Sequence, residues 1–88
     1  MTEKQFRKIL YLLFQFYPGE YDYLAALEQS KFDRLCELWH KKLEKYDYDF
    51  VYNFVETYSV KELKKALTSL KYTPLTIDAL LYKLNEIT

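Results

Sequence analysis

Cys36 and His40 are the chain's one cysteine and one histidine, and they stand four residues apart. On a helix that spacing puts both on one face, where a thiol and an imidazole can form a nucleophilic dyad or half of a metal site. Neither reading goes further. A structural zinc takes about four ligands, and there is no second histidine or cysteine to complete the set. Cys36 also falls on an apolar stripe, where a free cysteine behaves as a small hydrophobe. His40, between Trp39 and Lys41, reads as a lone surface histidine. Phosphate-cradling loops need several glycines, and Gly19 is the only one. No serine has a base partner in the local pattern. Asp47 and Asp49 sit where helix capping and the helix dipole account for them. No catalytic residue, cofactor or metal site is expected, so the chain reads as a protein that works by binding.

Binding chemistry is better supplied. Ten of the 88 residues are tyrosine, and 19% are aromatic. A domain this small has a limited core, and Tyr11, Tyr21, Tyr23, Tyr48, Tyr52 and Tyr72 fall off the apolar stripes described below. Tyrosine tolerates half-exposure and is enriched where proteins dock. The competing reading is that these rings only rim the core with their hydroxyls in water. Tyr11, Phe14, Tyr48 and Tyr52 are the partner-binding candidates, and Trp39 reads as a core anchor. Lys61, Lys64, Lys65 and Lys71 form a second candidate surface, a stripe for possible nucleic-acid contact. Against it stands the ordinary role of charge runs as solvated faces, and no pattern of Arg, Asn and Gln at base-reading positions accompanies it.

The elements that must position these groups are helices. One glycine and two prolines leave little material for tight hairpins. Thr2 with Gln5 makes a capping box, after which Phe6, Ile9, Leu10, Leu13, Phe16 and Tyr17 share a face until Pro18-Gly19 ends the helix. Tyr11, Leu12 and Phe14 lie partly off that stripe, so the helix is apolar around most of its circumference. From Glu20 to Gln29 the pattern fits either an ordered loop or a short helix capped by Asp22. Ser30 followed by Asp33 offers a fresh start, with Phe32, Leu35, Cys36, Trp39, Leu43 and Tyr46 on one stripe and Lys41, Lys42, Glu44 and Lys45 opposite. Asp47 or Asp49 caps a third helix over Phe50, Val51, Phe54, Val55 and Tyr58. Ser59 with Glu62 is a second capping box, predicting a fourth helix with Leu63, Ala66, Leu67 and Leu70 inward. Thr73-Pro74 breaks it, and Thr73 or Thr76 caps a last helix carrying Ile77, Leu80, Leu81, Leu84 and Ile87. The expectation is an all-α fold, a compact bundle of four to five short helices in a single domain spanning residues 1–88, with no repeat, low-complexity tract or linker.

Bulk properties narrow the partner. Thirteen basic and thirteen acidic side chains give zero net charge, unlike a strongly basic nucleic-acid binder or an acidic DNA mimic. A lone cysteine points to a reducing compartment. The start of the chain is polar, and the apolar run from Ile9 to Phe16 is too short to span a bilayer. A cytoplasmic protein with no membrane partner is expected.

The segments ILYLLFQFYP, LWHKKLEKYDYDFVYNFVETY and KYTPLTIDALL resemble the folded helical domain of the phage-encoded loader and inhibitor proteins for replicative helicases. The likeness falls on Tyr17 and Pro18, on Trp39 and Leu43, on Tyr48, Asp49 and Val51, and on Tyr72, Pro74, Thr76 and Ile77. It spans nearly the whole chain. It implies a role in phage DNA replication in the cytoplasm of a bacterial host: binding the hexameric helicase, holding it inactive and helping hand it to an origin complex. The chain departs from that pattern in extra residues around Tyr23 to Lys31. It also stops at Thr88, where members carry a flexible C-terminal tail implicated in gripping the helicase. Without that tail the expected target widens to a helicase loader or another replication factor. Two other functions fit the same residues: a small phage inhibitor of a host defence or host enzyme acting through an aromatic helical surface, and a nucleic-acid-binding helical module using the lysine stripe. Self-association would bury the same tyrosines, so a homo-oligomer is also open.

Overall fold

The Thr2 capping box forms as the sequence predicts. The Gln5 backbone N–H donates to Thr2 Oγ1 at 3.1 Å, and the Thr2 N–H donates to Gln5 Oε1 at 2.9 Å, which satisfies two of the orphan donors at a helix start. Helix α1 runs Glu3–Phe16 from this cap. In this computed structural model, which describes residues 1–69 and 73–88, four further α-helices follow. They are α2 (Pro18–Tyr21), α3 (Gln29–Leu43), α4 (Tyr48–Ser69) and α5 (Ile77–Ile87), with a 3₁₀ helix over Asp22–Ala26 between α2 and α3. There are no strands among the described residues, and the fold is the expected all-α bundle. Leu70, Lys71 and Tyr72, read from the sequence as core, lysine stripe and off-stripe tyrosine, lie outside the described residues.

Helix α1 is the central element. Phe6, Ile9, Leu10, Leu12 and Leu13 are all buried, and α1 packs against both α3 and α4. Cys36 and Leu43 from α3, Val51 and Val55 from α4, and Ile77, Leu80 and Leu84 from α5 complete one continuous core. Cys36 is fully buried there, and burial pushes its thiol pKa upward, so it serves as the small hydrophobe its stripe suggested. His40 is a correction. It is half-buried, and its Nε2 lies 2.8 Å from the Met1 carbonyl oxygen, to which it donates.

The largest departure from the sequence reading is at Ser59. The capping box Ser59-x-x-Glu62 predicts a helix boundary, yet α4 continues through it for 22 residues. Ser59 is completely buried, and its Oγ accepts a 2.8 Å hydrogen bond from the Tyr17 hydroxyl. Tyr17 is itself fully buried at the end of α1, and a buried hydroxyl needs a partner. Ser59 supplies it, so its side chain is committed away from the backbone. No glycine or proline interrupts Tyr48–Ser69 to break the helix. The true cap is Asp47, whose Oδ2 accepts from the Phe50 N–H at 3.0 Å. Thr76, rather than Thr73, caps α5 by accepting from the Ala79 N–H at 3.0 Å.

Three apolar residues expected inward face water: Phe50, Ile87 and, most of all, Leu67 at 84% exposure. Tyr21 moves the other way. Counted among the off-stripe tyrosines, it is buried, and its hydroxyl donates to the Leu75 carbonyl at 2.5 Å. The segment from Glu20 to Gln29 is therefore neither a plain loop nor an Asp22-capped helix. It is a short helical turn with Pro18 at its first position, followed by the 3₁₀ helix, and it sends Tyr21 and Leu24 into the core. Helix α3 begins at Gln29 after Glu28, with no side-chain cap, and Asp33 is used elsewhere.

The molecule is flat, with extents of 40 × 32 × 17 Å and a radius of gyration of 13.2 Å, against about 12 Å for a compact chain of this length. A plate about two helices thick has few interior positions. That geometry leaves Phe14, Phe32, Trp39, Tyr48, Tyr52, Phe54 and Tyr58 half-buried around the core. Trp39 flanks the core as an anchor without being enclosed by it.

Candidate functional site

Lys4, Lys8 and Tyr11 recur at helical spacing along one face of α1, with Arg7 beside them. Tyr48 and Tyr52 stand one turn apart at the start of α4, their rings tilted by 51° with centroids 5.7 Å apart. Packing α1 on α4 brings these six residues around one open groove of about 450 Å³. A second hollow of about 410 Å³ adjoins it on the other side of α1, where Leu10, Phe14, Leu24, Leu27 and Phe32 form an apolar wall. Arg7 and Tyr11 border both hollows and so form the ridge between them.

All four aromatic candidates from the sequence meet at this double groove: Tyr48 and Tyr52 on one flank, Phe14 on the other, Tyr11 on the ridge. Their exposure differs. Tyr11 is 64% exposed, while Phe14, Tyr48 and Tyr52 are half-buried and pack against the core. A Tyr52→Ala change would therefore remove packing as well as any contact with a partner. Tyr11 is the ring whose loss leaves the fold nearly untouched.

Arg7 is fixed in place. Its Nη2 donates to Asp33 Oδ1 at 3.1 Å and lies 3.9 Å from Glu3, and its guanidinium sits over the Phe32 ring, 5.6 Å from the centroid. Gln29 also donates to Asp33, at 2.9 Å. These hydrogen bonds, Gln29's first and Arg7's second, hold the Asp33 carboxyl below its ordinary range, and the bond to Asp33 raises the Arg7 pKa. The network locks the start of α3 onto α1 and positions the ridge.

The lysine stripe is organised differently. Lys61, Lys64 and Lys65 are exposed on the second half of α4, Lys65 makes a 3.3 Å ion pair with Glu62, and Leu67 stands among them. Lys71 lies outside the described residues. None of Lys61, Lys64 and Lys65 lines either hollow of the double groove. Among the described residues, no group of three or more His, Cys, Asp or Glu could hold a metal ion, and no helix is long and apolar enough to cross a membrane.

Sequence reasoning found the rings of the site and missed its cations. The signal was present: Lys4, Lys8 and Tyr11 follow helical spacing on the polar side of α1. The apolar wall was harder to see, because Leu24 and Leu27 belong to the segment whose conformation was ambiguous. No family model, no curated protein and no solved structure matches the chain.

Proposed function

We propose that this chain is a non-catalytic binding module whose working surface is the double groove along α1, and that it acts on a replicative helicase or its loader as a phage replication adaptor. The observation that carries the binding reading is the convergence of Tyr11, Phe14, Tyr48 and Tyr52, from two separate helices, onto one concave surface. Aromatic rings held half-exposed beside arginine and lysine are the composition of interface hot spots. Exposed aromatic surface is costly to leave in water, and a concave patch of it is a docking feature. The mechanism is occlusion or delivery: a rigid helical plate covers a partner surface and leaves when that partner is handed on. The choice of helicase or loader rests on the sequence resemblance alone.

Titrating purified replicative helicase and helicase loader against the immobilised chain tests the proposal. Micromolar or tighter association with one of them, weakened about tenfold in Tyr11→Ala, supports it. No association with either at low salt rejects the partner, and undiminished binding by Tyr11→Ala rejects the surface.

A further inference from the structure

The double groove is sorted by chemistry, and that sorting specifies an occupant. Its charged lining residues are Lys4, Arg7 and Lys8, all cations, and no carboxylate lines either hollow. This is not the average of the chain, which carries equal numbers of acidic and basic side chains. Arg7 is partly offset by Asp33 and Glu3, so the uncompensated field comes from Lys4 and Lys8. Both are exposed, and neither joins an ion pair among the described residues. Across the Arg7–Tyr11 ridge the surface turns aliphatic and aromatic. We propose that the double groove receives an acidic amphipathic segment of a partner protein, with its carboxylates over Lys4, Arg7 and Lys8 and an apolar side chain in the hollow walled by Leu10, Phe14 and Leu24.

The inference rests on the binding reading above and names the chemistry of the partner. From Lys4 to Phe14 the α1 face runs about 15 Å at 1.5 Å per residue. That matches roughly three turns of an amphipathic helix laid along the groove, the helix-in-groove mode of recognition. The tyrosines suit such a segment, since their rings cover its aliphatic side chains while their hydroxyls donate to its carboxylates. A single-stranded nucleic acid would stack bases on Tyr11, Tyr48 and Tyr52 and set phosphates over the cations. It would, however, leave the aliphatic hollow unfilled, and a chain of zero net charge lacks the broad positive field that drives such binding. An acidic peptide uses both hollows.

A random-peptide display library selected on the intact chain tests this. Enriched sequences should place Asp and Glu around a Leu, Phe or Trp anchor. Their affinity should fall as salt rises, and Lys4→Glu/Lys8→Glu should weaken them about tenfold or more. Both side chains are exposed, and at Lys4, in the first turn of α1, an acidic residue also favours the helix dipole, so this variant keeps the fold. Circular dichroism checks that, and Lys4→Gln/Lys8→Gln is the alternative if it does not. No enrichment, enrichment without acidic bias, or indifference to the lysine changes overturns the inference. So does an oligothymidine that binds more tightly than the selected peptides. The two readings separate cleanly. Peptides without acidic bias that still lose binding in Tyr11→Ala overturn only the acidic occupant. Peptides that bind Tyr11→Ala normally overturn the surface itself.

Discussion

The cations clustered on α1 and those clustered on the second half of α4 differ in what stands beside them. On α1, Lys4, Arg7 and Lys8 share a concave surface with three tyrosines. On the second half of α4, Lys61, Lys64 and Lys65 share a convex stretch of helix with Glu62 and Leu67. The difference follows from packing. The first half of α4 places Val51, Val55 and Ser59 in the core, each one turn from the last. From Val60 to Thr68 no residue of α4 is buried. Where two helices meet, a groove forms and side chains from both converge in it. Where one helix runs on with none of its side chains buried, its lysines stay exposed along it. Clustered charge in a sequence therefore marks a site only when a second element closes over it.

The contrast breaks most directly on stability. Val55→Ala removes two buried methyl groups from the covered half of α4, and a loss of about 2 kcal/mol is expected from transfer and cavity costs. Leu67→Ala removes more carbon from the bare half and should change stability by less than about 0.5 kcal/mol. Urea unfolding midpoints measure both. Equal losses would mean that the second half of α4 is covered after all. The next effect concerns the bond that ties α4 to the end of α1 where its covered stretch ends. Tyr17→Phe strips the donor from Ser59 Oγ and should cost about 1–2 kcal/mol. Ser59→Ala should cost a similar amount, and the double change clearly less than the sum, because the two hydroxyls act as one unit. Additive losses would separate Ser59 from Tyr17 and restore it as a local helix signal.

That serine shows where sequence legibility ends. Helix starts at Thr2, Asp47 and Thr76 were readable because their side chains bond to backbone within three residues. The same code is present at Ser59, and a contact 42 residues away overrides it. Tyr21 repeats the lesson: nothing near it in sequence announces the Leu75 carbonyl, 54 residues on. Local hydrogen bonds are legible in a sequence and distant ones are not. The site divides along the same line. Its rings were found by their failure to fit a stripe. The pairing of α1 with the start of α4 was not visible, and that pairing turns Tyr11, Tyr48 and Tyr52 into one surface.

Binding measurements sharpen the contrast next. Tyr11→Ala should weaken partner binding by about 1–2 kcal/mol, the cost of truncating an interface aromatic, while leaving the unfolding midpoint close to that of the parent chain. Lys61→Glu/Lys64→Glu on the bare half should leave affinity for the same partner within about twofold, apart from a weak salt-dependent change. Calorimetric titration of the two variants against one partner decides it. A larger loss from the lysine pair would transfer the working surface to α4.

The smallest expected effect is on pH, and it sets the buttressed ion pair of α1 against the bare one of α4. Asp33 accepts from both Gln29 and Arg7, and these contacts lower its folded-state pKa. A carboxyl whose pKa is depressed on folding contributes stability above its unfolded value, and loses it as pH falls through the folded value. Asp33→Asn should therefore lower the urea midpoint near neutral pH, and the gap between variant and parent should close on acidification below about pH 4. Glu62→Gln, which breaks only the Lys65 pair within one helix, should shift the midpoint by no more than about 0.5 kcal/mol. The two substitutions remove the same charge. Only the first breaks the ion pair between Arg7 and α3, leaving the guanidinium tied to α3 over Phe32 alone, so only the first should also alter affinity at the ridge between the two hollows. A gap that persists unchanged into acid would mean that the Asp33 carboxylate is not what fixes Arg7. The ridge would then depend on the Phe32 ring beneath it.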